Sequence, residues 1–229
     1  MKYKITILFS ALIFLWGCNN DKITISGTIE HCDNAYLLLF QVLPNEVVVV
    51  DTVLVLNEKF SHRIKSEEVG VYLLKFSDDV LLSFIADLGD RLVFSGDADN
   101  LQKTYDIKGN QETELLMQTQ RKLNQVYQET ELLSKEFVRH TYNENRDSIQ
   151  QIDSLYTVLF DAHKTFLTDF ISSHPDKLAS LMAFYQALGR NNFFSVEEDR
   201  DLLEIIYAAL SKKYPNSIYT KDLEEKLGE

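Results

Sequence analysis

The sequence predicts an α+β protein, an N-terminal antiparallel β-sandwich of about eight strands followed by a C-terminal all-helical region. Three observations lead there. Between Lys22 and Gly109, short runs rich in Val, Ile, Leu, Phe and Tyr alternate with turn residues. From Asn110 to His174 neither Gly nor Pro occurs, and Gln, Glu, Lys and Leu dominate, which is a helical composition. The 229 residues are 45% apolar and 25% charged, ordinary values for a chain that buries a core.

The first seventeen residues stand apart from the fold. Lys2 and Lys4 precede an apolar run from Ile5 to Trp16, broken only by Thr6 and Ser10. Twelve residues are too few to cross a bilayer core, which takes about 20 in a helix, so the run reads as a cleaved signal segment. Leu15-Trp16-Gly17-Cys18 and the polar Asn19-Asn20-Asp21 follow. This resembles the bacterial lipoprotein signal, in which the Cys after a small residue is lipidated and becomes the new N-terminus. Trp16 is bulkier than that pattern usually carries. The expected organisation is a signal peptide at 1–17, a lipidated tether at 18–21, a sandwich at 22–109 and a helical domain at 110–229.

The expected strands are Ile23–Glu30, Ala35–Gln41, Glu46–Leu56, Lys59–Lys65, Val71–Phe76, Val80–Asp87, Arg91–Ser95 and Lys103–Ile107. Asn57-Glu58 and Gly89-Asp90 read as hairpin turns. Phe60, His62 and Ile64 alternate with Ser61, Arg63 and Lys65, the period of a half-buried strand. In the helical half, Leu116, Leu123 and Phe137 fall on a seven-residue spacing, with Val126 and Leu133 on the other seam. Ile149, Ile152, Tyr156, Leu159, His163, Phe166 and Phe170 alternate steps of three and four. Two helices with one apolar stripe each are each other's simplest partner. Asp147 to Gln150 resembles a capping box, which sets the turn near Asn143–Arg146. A third helix should run from Pro175 to Gly189. A fourth should start at Ser195-Val-Glu-Glu198 and end before Pro215, and a short last one should end at Gly228.

Charge narrows the function. The chain carries 35 acidic and 23 basic residues, net −12, and loss of residues 1–17 leaves −14, split evenly about Gly109. Nucleic-acid binding is not expected, since it needs basic patches that release counterions. Nor does such a charge hold a protein to anionic lipid, so the acyl chains on Cys18 would supply the membrane affinity. Two cysteines make neither a disulfide scaffold nor a four-ligand zinc site.

Ser26-Gly27-Thr28-Ile29, Asp51-Thr52 with Asn57-Glu58-Lys59-Phe60, and Phe84 to Gly96 ending Arg91-Leu92-Val93-Phe94-Ser95-Gly96 carry a family resemblance. Ile107 to Asn110, Phe170 to Pro175, Ser195 to Arg200 and Tyr214 to Tyr219 extend it. The chain resembles the uncharacterised β-sandwich domain and helical linker that precede the thioredoxin domain in lipid-anchored thiol–disulfide interchange proteins of Gram-negative bacteria. That family's chemistry belongs to a Cys-x-x-Cys, which is not found in this sequence. The resemblance thus implies the tether and accessory domains without the redox activity.

The remaining chemistry is thin, and no catalytic residue, metal site or cofactor is expected. Cys32 follows His31, which could activate a thiol, but an inert thiol in a turn is the plainer account. His163 lies on an apolar stripe, where a histidine more often satisfies itself with one hydrogen bond than binds metal. His140 and Glu144 stand at i, i+4, a metal-ligand spacing without a second motif. Asp78-Asp79 and Asp97-Ala98-Asp99-Asn100 read as acidic turns, and Glu197-Glu198-Asp199 as the charged start of a helix. Phe193 and Phe194 sit in an interhelical loop, where they would staple onto the following helix or line a ligand pocket. The expectation is a non-enzymatic envelope lipoprotein, lipid-anchored to a membrane (outer membrane in preference), that binds a protein partner or scaffolds a complex. The alternatives are a peptide- or glycan-binding lipoprotein and a redox accessory acting through Cys32.

Overall fold

The computed structural model describes residues 22–77 and 80–228, which form three layers: two four-stranded sheets and a helical layer. Cys18, the expected lipidation site, and the acidic pair Asp78-Asp79 lie outside the described residues.

Eight strands build the sandwich: β1 (Lys22–Glu30), β2 (Ala35–Val42), β3 (Val47–Val55), β4 (Lys59–Lys65), β5 (Gly70–Ser77), β6 (Val80–Ala86), β7 (Arg91–Asp97) and β8 (Asp106–Lys108). Sheet A runs β4-β1-β7-β8 and sheet B runs β3-β2-β5-β6. Alternation sends Ile23, Ile25, Ile29, Phe60, Ile64, Leu92 and Phe94 inward from sheet A. Leu37, Leu39, Tyr72, Leu74, Leu82 and Phe84 meet them from sheet B, and Phe84 packs edge-on to Phe94 at 5.3 Å. Asn57 and Glu58 both take positive φ (50° and 63°), so the β3–β4 turn is left-handed, as expected of a two-residue hairpin.

The sandwich departs from expectation at three places. Gly89-Asp90 does not close a hairpin: β6 lies in sheet B and β7 in sheet A, so the chain changes sheets there. β7 then pairs parallel with β1, from Thr24 opposite Arg91 to Glu30 opposite Asp97, so the sandwich is not wholly antiparallel. The segment Lys103–Ile107 is not one strand: Leu101–Thr104 is a short helix, α1, and only Asp106–Lys108 pairs with β7. Gly109 follows at φ +134°, where a Cβ would stand 2.1 Å from the Arg91 carbonyl oxygen, so the exit from β8 requires glycine.

The long helices are α2 (Gln111–Tyr142) and α3 (Arg146–Ser173). Asn145, not Asp147, caps α3, because its side chain accepts from the Ser148 amide. α4 (Leu178–Phe184) is shorter than expected, since Gly189 (φ +65°) turns a two-residue hairpin of β9 (Ala187–Leu188) and β10 (Asn191–Asn192). The C-terminal half is therefore mostly, but not wholly, helical. α5 (Arg200–Lys213) begins after a turn at 196–198, and α6 (Ile218–Leu227) ends at Gly228 in the left-handed conformation.

The helical layer covers one end of the outer face of sheet B. Val69, Val71 and Ile85 share a core with Leu116, Phe170, Leu178, Phe184 and Leu223, while Met117, one residue along α2, fills the sandwich core. α2 also satisfies the β6 edge: the Thr113 hydroxyl donates to the Ile85 carbonyl at 2.7 Å and accepts the Ile85 amide at 3.1 Å. At the opposite side Tyr219 of α6 donates to the Val42 carbonyl (2.6 Å) and accepts the Val71 amide (3.0 Å). The buried residues on α3 are Ile152, His163, Leu167, Phe170 and Ile171, so the seam runs through Leu167 and leaves Phe166 half-buried. Past Tyr127 and Tyr156, whose hydroxyls bond Gly189 and Asn191, the α2–α3 hairpin continues with Leu132, Val138, Tyr142 and Leu155 exposed.

Candidate functional site

Cys32 follows β1 in a turn that His31 enters at φ 58°, and its amide donates to the Ile29 carbonyl. The thiol is 9% exposed and packs with the sandwich core. Burial, and then the charges of Asp33 and Glu58, push its pKa up, which disfavours the thiolate. His31 gives it no help. Its Nδ1 lies 2.8 Å from Asp97, whose hydrogen bond and charge raise the imidazole pKa and lower that of the carboxyl.

Parallel pairing of β1 with β7 makes that contact, because it brings the ends Glu30 and Asp97 side by side. His31 Nδ1 and one carboxylate oxygen each from Asp97 and Asp99 fall within 4.8 Å of one another, the one such metal-compatible group among the described residues. The group is exposed and internally bonded. Asp97 also accepts the Asp99 amide as cap of a 3-10 turn, Ala98–Asn100, as a turn-forming aspartate does. Sequence spacing could not reveal His31 here, since its partner is 66 residues away.

His163 is buried between Phe193 (ring centroids 4.6 Å) and Phe166 (5.7 Å). Its Nε2 meets the Gln186 side-chain oxygen at 3.1 Å, and the Gln186 amide donates to Thr119 at 2.9 Å. Burial lowers its pKa, with Lys122 adding to the shift and Gln186 opposing it, so the ring is neutral at pH 7. This is a core histidine joining α2, α3 and the β9 approach.

Phe193 and Phe194 are likewise core. Phe193 stacks on Phe160 at 4.6 Å and Phe194 on Phe184 at 5.3 Å, so their ring partners lie on α3 and α4, not on the following helix. His140 and Glu144 are not a helical pair, because α2 ends at Tyr142 and Glu144 takes φ 53° beyond it. The acids Glu197 to Asp199 precede α5. Asp199 accepts the Ser195 amide and pairs with Lys164 at 3.0 Å.

Two surfaces were not anticipated. The first continues the outer face of sheet B beyond the helices. Tyr36 lies opposite Leu54, Leu38 opposite Lys75, and Lys75 opposite Leu81, so four large apolar side chains stand outward together. Tyr36 is 73% exposed and Leu81 49%. Val47 and Val49 on the edge strand β3 are exposed beside them. The second surface is the outer face of sheet A, an open groove of about 700 Å³ floored by Ser26, Thr28, Ser61, Val93 and Ser95, with Leu54 and Leu56 on its rim.

Residues 23–116 match a family described as "Domain of unknown function (DUF4369)". The match spans the whole sandwich and reaches Leu116, where α2 enters the shared core. No curated protein and no solved structure matches the chain. No helix among the described residues is long and apolar enough to cross a membrane.

Proposed function

We propose that this chain is a non-enzymatic module of the bacterial cell envelope, anchored by lipid on Cys18, that binds a partner protein or scaffolds a complex. Its sandwich and helices would correspond to the non-catalytic part of lipid-anchored thiol–disulfide interchange proteins. The supporting observation is the uncovered apolar end of sheet B. Tyr36, Leu38, Leu54 and Leu81 continue a face that the protein itself uses for packing at Val71 and Ile85. Apolar side chains clustered on a sheet face are stabilised when a second surface excludes water from them. The redox-accessory alternative is disfavoured by the buried Cys32 and its raised thiol pKa.

A photo-crosslinker at Leu38, introduced in the native cell, should give a discrete adduct that disappears when Tyr36 and Leu81 are changed to Ser. Both residues are exposed, so the changes should cost only about 0.5 kcal/mol of stability. The reading fails if the adducts match those from a crosslinker at the exposed Asp201 on the opposite half and ignore the Ser substitutions.

A further inference from the structure

We infer that the outer face of sheet A docks on an anionic lipid surface through Lys22, Arg63, Lys65 and Arg91. The inference rests on the proposed Cys18 anchor for the direction the face turns, and on strand register for its charge.

Alternation along β1, β4 and β7 sends Lys22, Thr24, Ser26, Ser61, Arg63, Lys65, Arg91 and Val93 outward on one end of the sheet, with no acid among them. Lys22 stands directly opposite Lys65, and Thr24 is flanked by Arg63 on one side and Arg91 on the other. All four basic side chains are exposed, and none has an ion-pair partner among the described residues. The nearby acids Asp90 and Glu68 make no ion pair with these bases: Asp90 accepts from the Asp87 amide and Asn110, and Glu68 from the Ile218 amide. Two further acids are close in sequence: Glu67, exposed in the loop after Lys65, and Asp21, which precedes Lys22.

Like charges placed opposite each other on a sheet are destabilising, and a chain of net −12 has acids to spare for pairing them. Four unpaired bases at one strand end therefore leave a local positive field that an external anionic surface would complement. The acids of the same face are Asp106 of β8, which stands opposite Ser95 and pairs with Lys108 and Arg121, and Glu30 and Asp97 at the far end, six residues from Thr24 and so about 20 Å away. That is more than two Debye lengths at physiological salt, so the overall negative charge does not cancel the local positive field.

The tether selects lipid as the source of that counter-charge. Cys18 is four residues before Lys22, a reach of at most about 14 Å. With acyl chains on Cys18 in the bilayer, the start of β1 and its neighbours Lys65 and Arg91 are held at headgroup depth. The exposed Val93 beside Arg91 adds the apolar component that interfacial surfaces share.

The test uses the full chain carrying Cys18→Ser, which lacks the acylated thiol, alone and with Arg63→Glu plus Arg91→Glu. Both share the same leader, so whatever the leader contributes cancels. Co-sedimentation with phosphatidylglycerol vesicles should exceed that with phosphatidylcholine vesicles and fall at high salt. Each basic side chain at such a surface is worth about fivefold in partitioning, so the double variant should bind phosphatidylglycerol at least about 25-fold less. Unchanged melting should accompany this, as both arginines are exposed. Equal partitioning of the parent onto the two lipids, or undiminished binding by the variant, overturns the inference. So does stoichiometric binding of poly-glutamate that displaces the vesicles, which would assign the face to an acidic protein. Mass spectrometry of the wild-type protein reads the anchor separately. A preserved lipid preference in an unacylated protein supports the face and removes the anchor alone.

Discussion

Tyr219→Phe deletes one oxygen atom and should weaken the whole molecule. The phenol belongs to α6 but bonds two strands of sheet B, donating to Val42 and accepting from Val71. The residue is buried, so the variant leaves the Val71 amide without its partner in the shared core. Each such bond contributes about 0.5–1.5 kcal/mol net, and an orphaned buried group costs about 1–3 kcal/mol, so a loss of about 2–3 kcal/mol is expected near pH 8. Urea unfolding should show a lower midpoint with an unchanged slope, and a single transition, because the core crosses from sandwich to helices. Alkaline pH supplies an internal check. Burial raises the Tyr219 pKa from about 10 to about 12. A folded-state pKa above the unfolded value contributes stability that is complete below pH 10 and is lost as pH rises to 12. Two units correspond to about 2–3 kcal/mol. Wild type should lose that increment over this window and the Phe variant should not, so the two stability curves should converge. A variant within about 0.5 kcal/mol of wild type at pH 8 would refute the bridging role, and a gap constant from pH 9 to 12 would refute the burial of the phenol.

Two further outcomes are expected. Glu112 accepts the Ala179 amide and Lys213 (3.1 Å), and its hydrogen bond and charge outweigh burial to raise the Lys213 pKa. Glu112→Gln should therefore cost about 1–3 kcal/mol at neutral pH in urea unfolding, with the loss shrinking as pH climbs past the ordinary lysine range. The His31 imidazole should titrate above 6.5 by NMR because of Asp97, and Asp97→Asn should return it toward that value; an unchanged titration would break the contact.

The sequence by itself determined what local chemistry determines. β4 was legible to the residue at Lys59–Lys65, because a two-residue turn precedes it and polar and apolar side chains alternate through it. The long helices and the break between them followed from apolar spacing and from 65 residues without Gly or Pro, although the cap fell on Asn145. His163 was legible as a core histidine for the same reason. Phe166 was not legible as half-buried, since a stripe of 3.6 periodicity fixes a face and leaves open which edge of it meets the neighbour.

Only the tertiary structure decided which strands are neighbours. Nothing local to Gly89-Asp90 says that the chain crosses to the other sheet, yet that crossing pairs β7 parallel with β1. One register then fixes two things at once, His31 against Asp97 and Arg91 beside Arg63 across Thr24, while the β7–β8 register sets Gly109 against the Arg91 carbonyl. Net charge hid the basic end of sheet A for a related reason. A sum over the chain carries no positions, whereas the field at a surface decays within about 8 Å and depends on which side chains stand side by side.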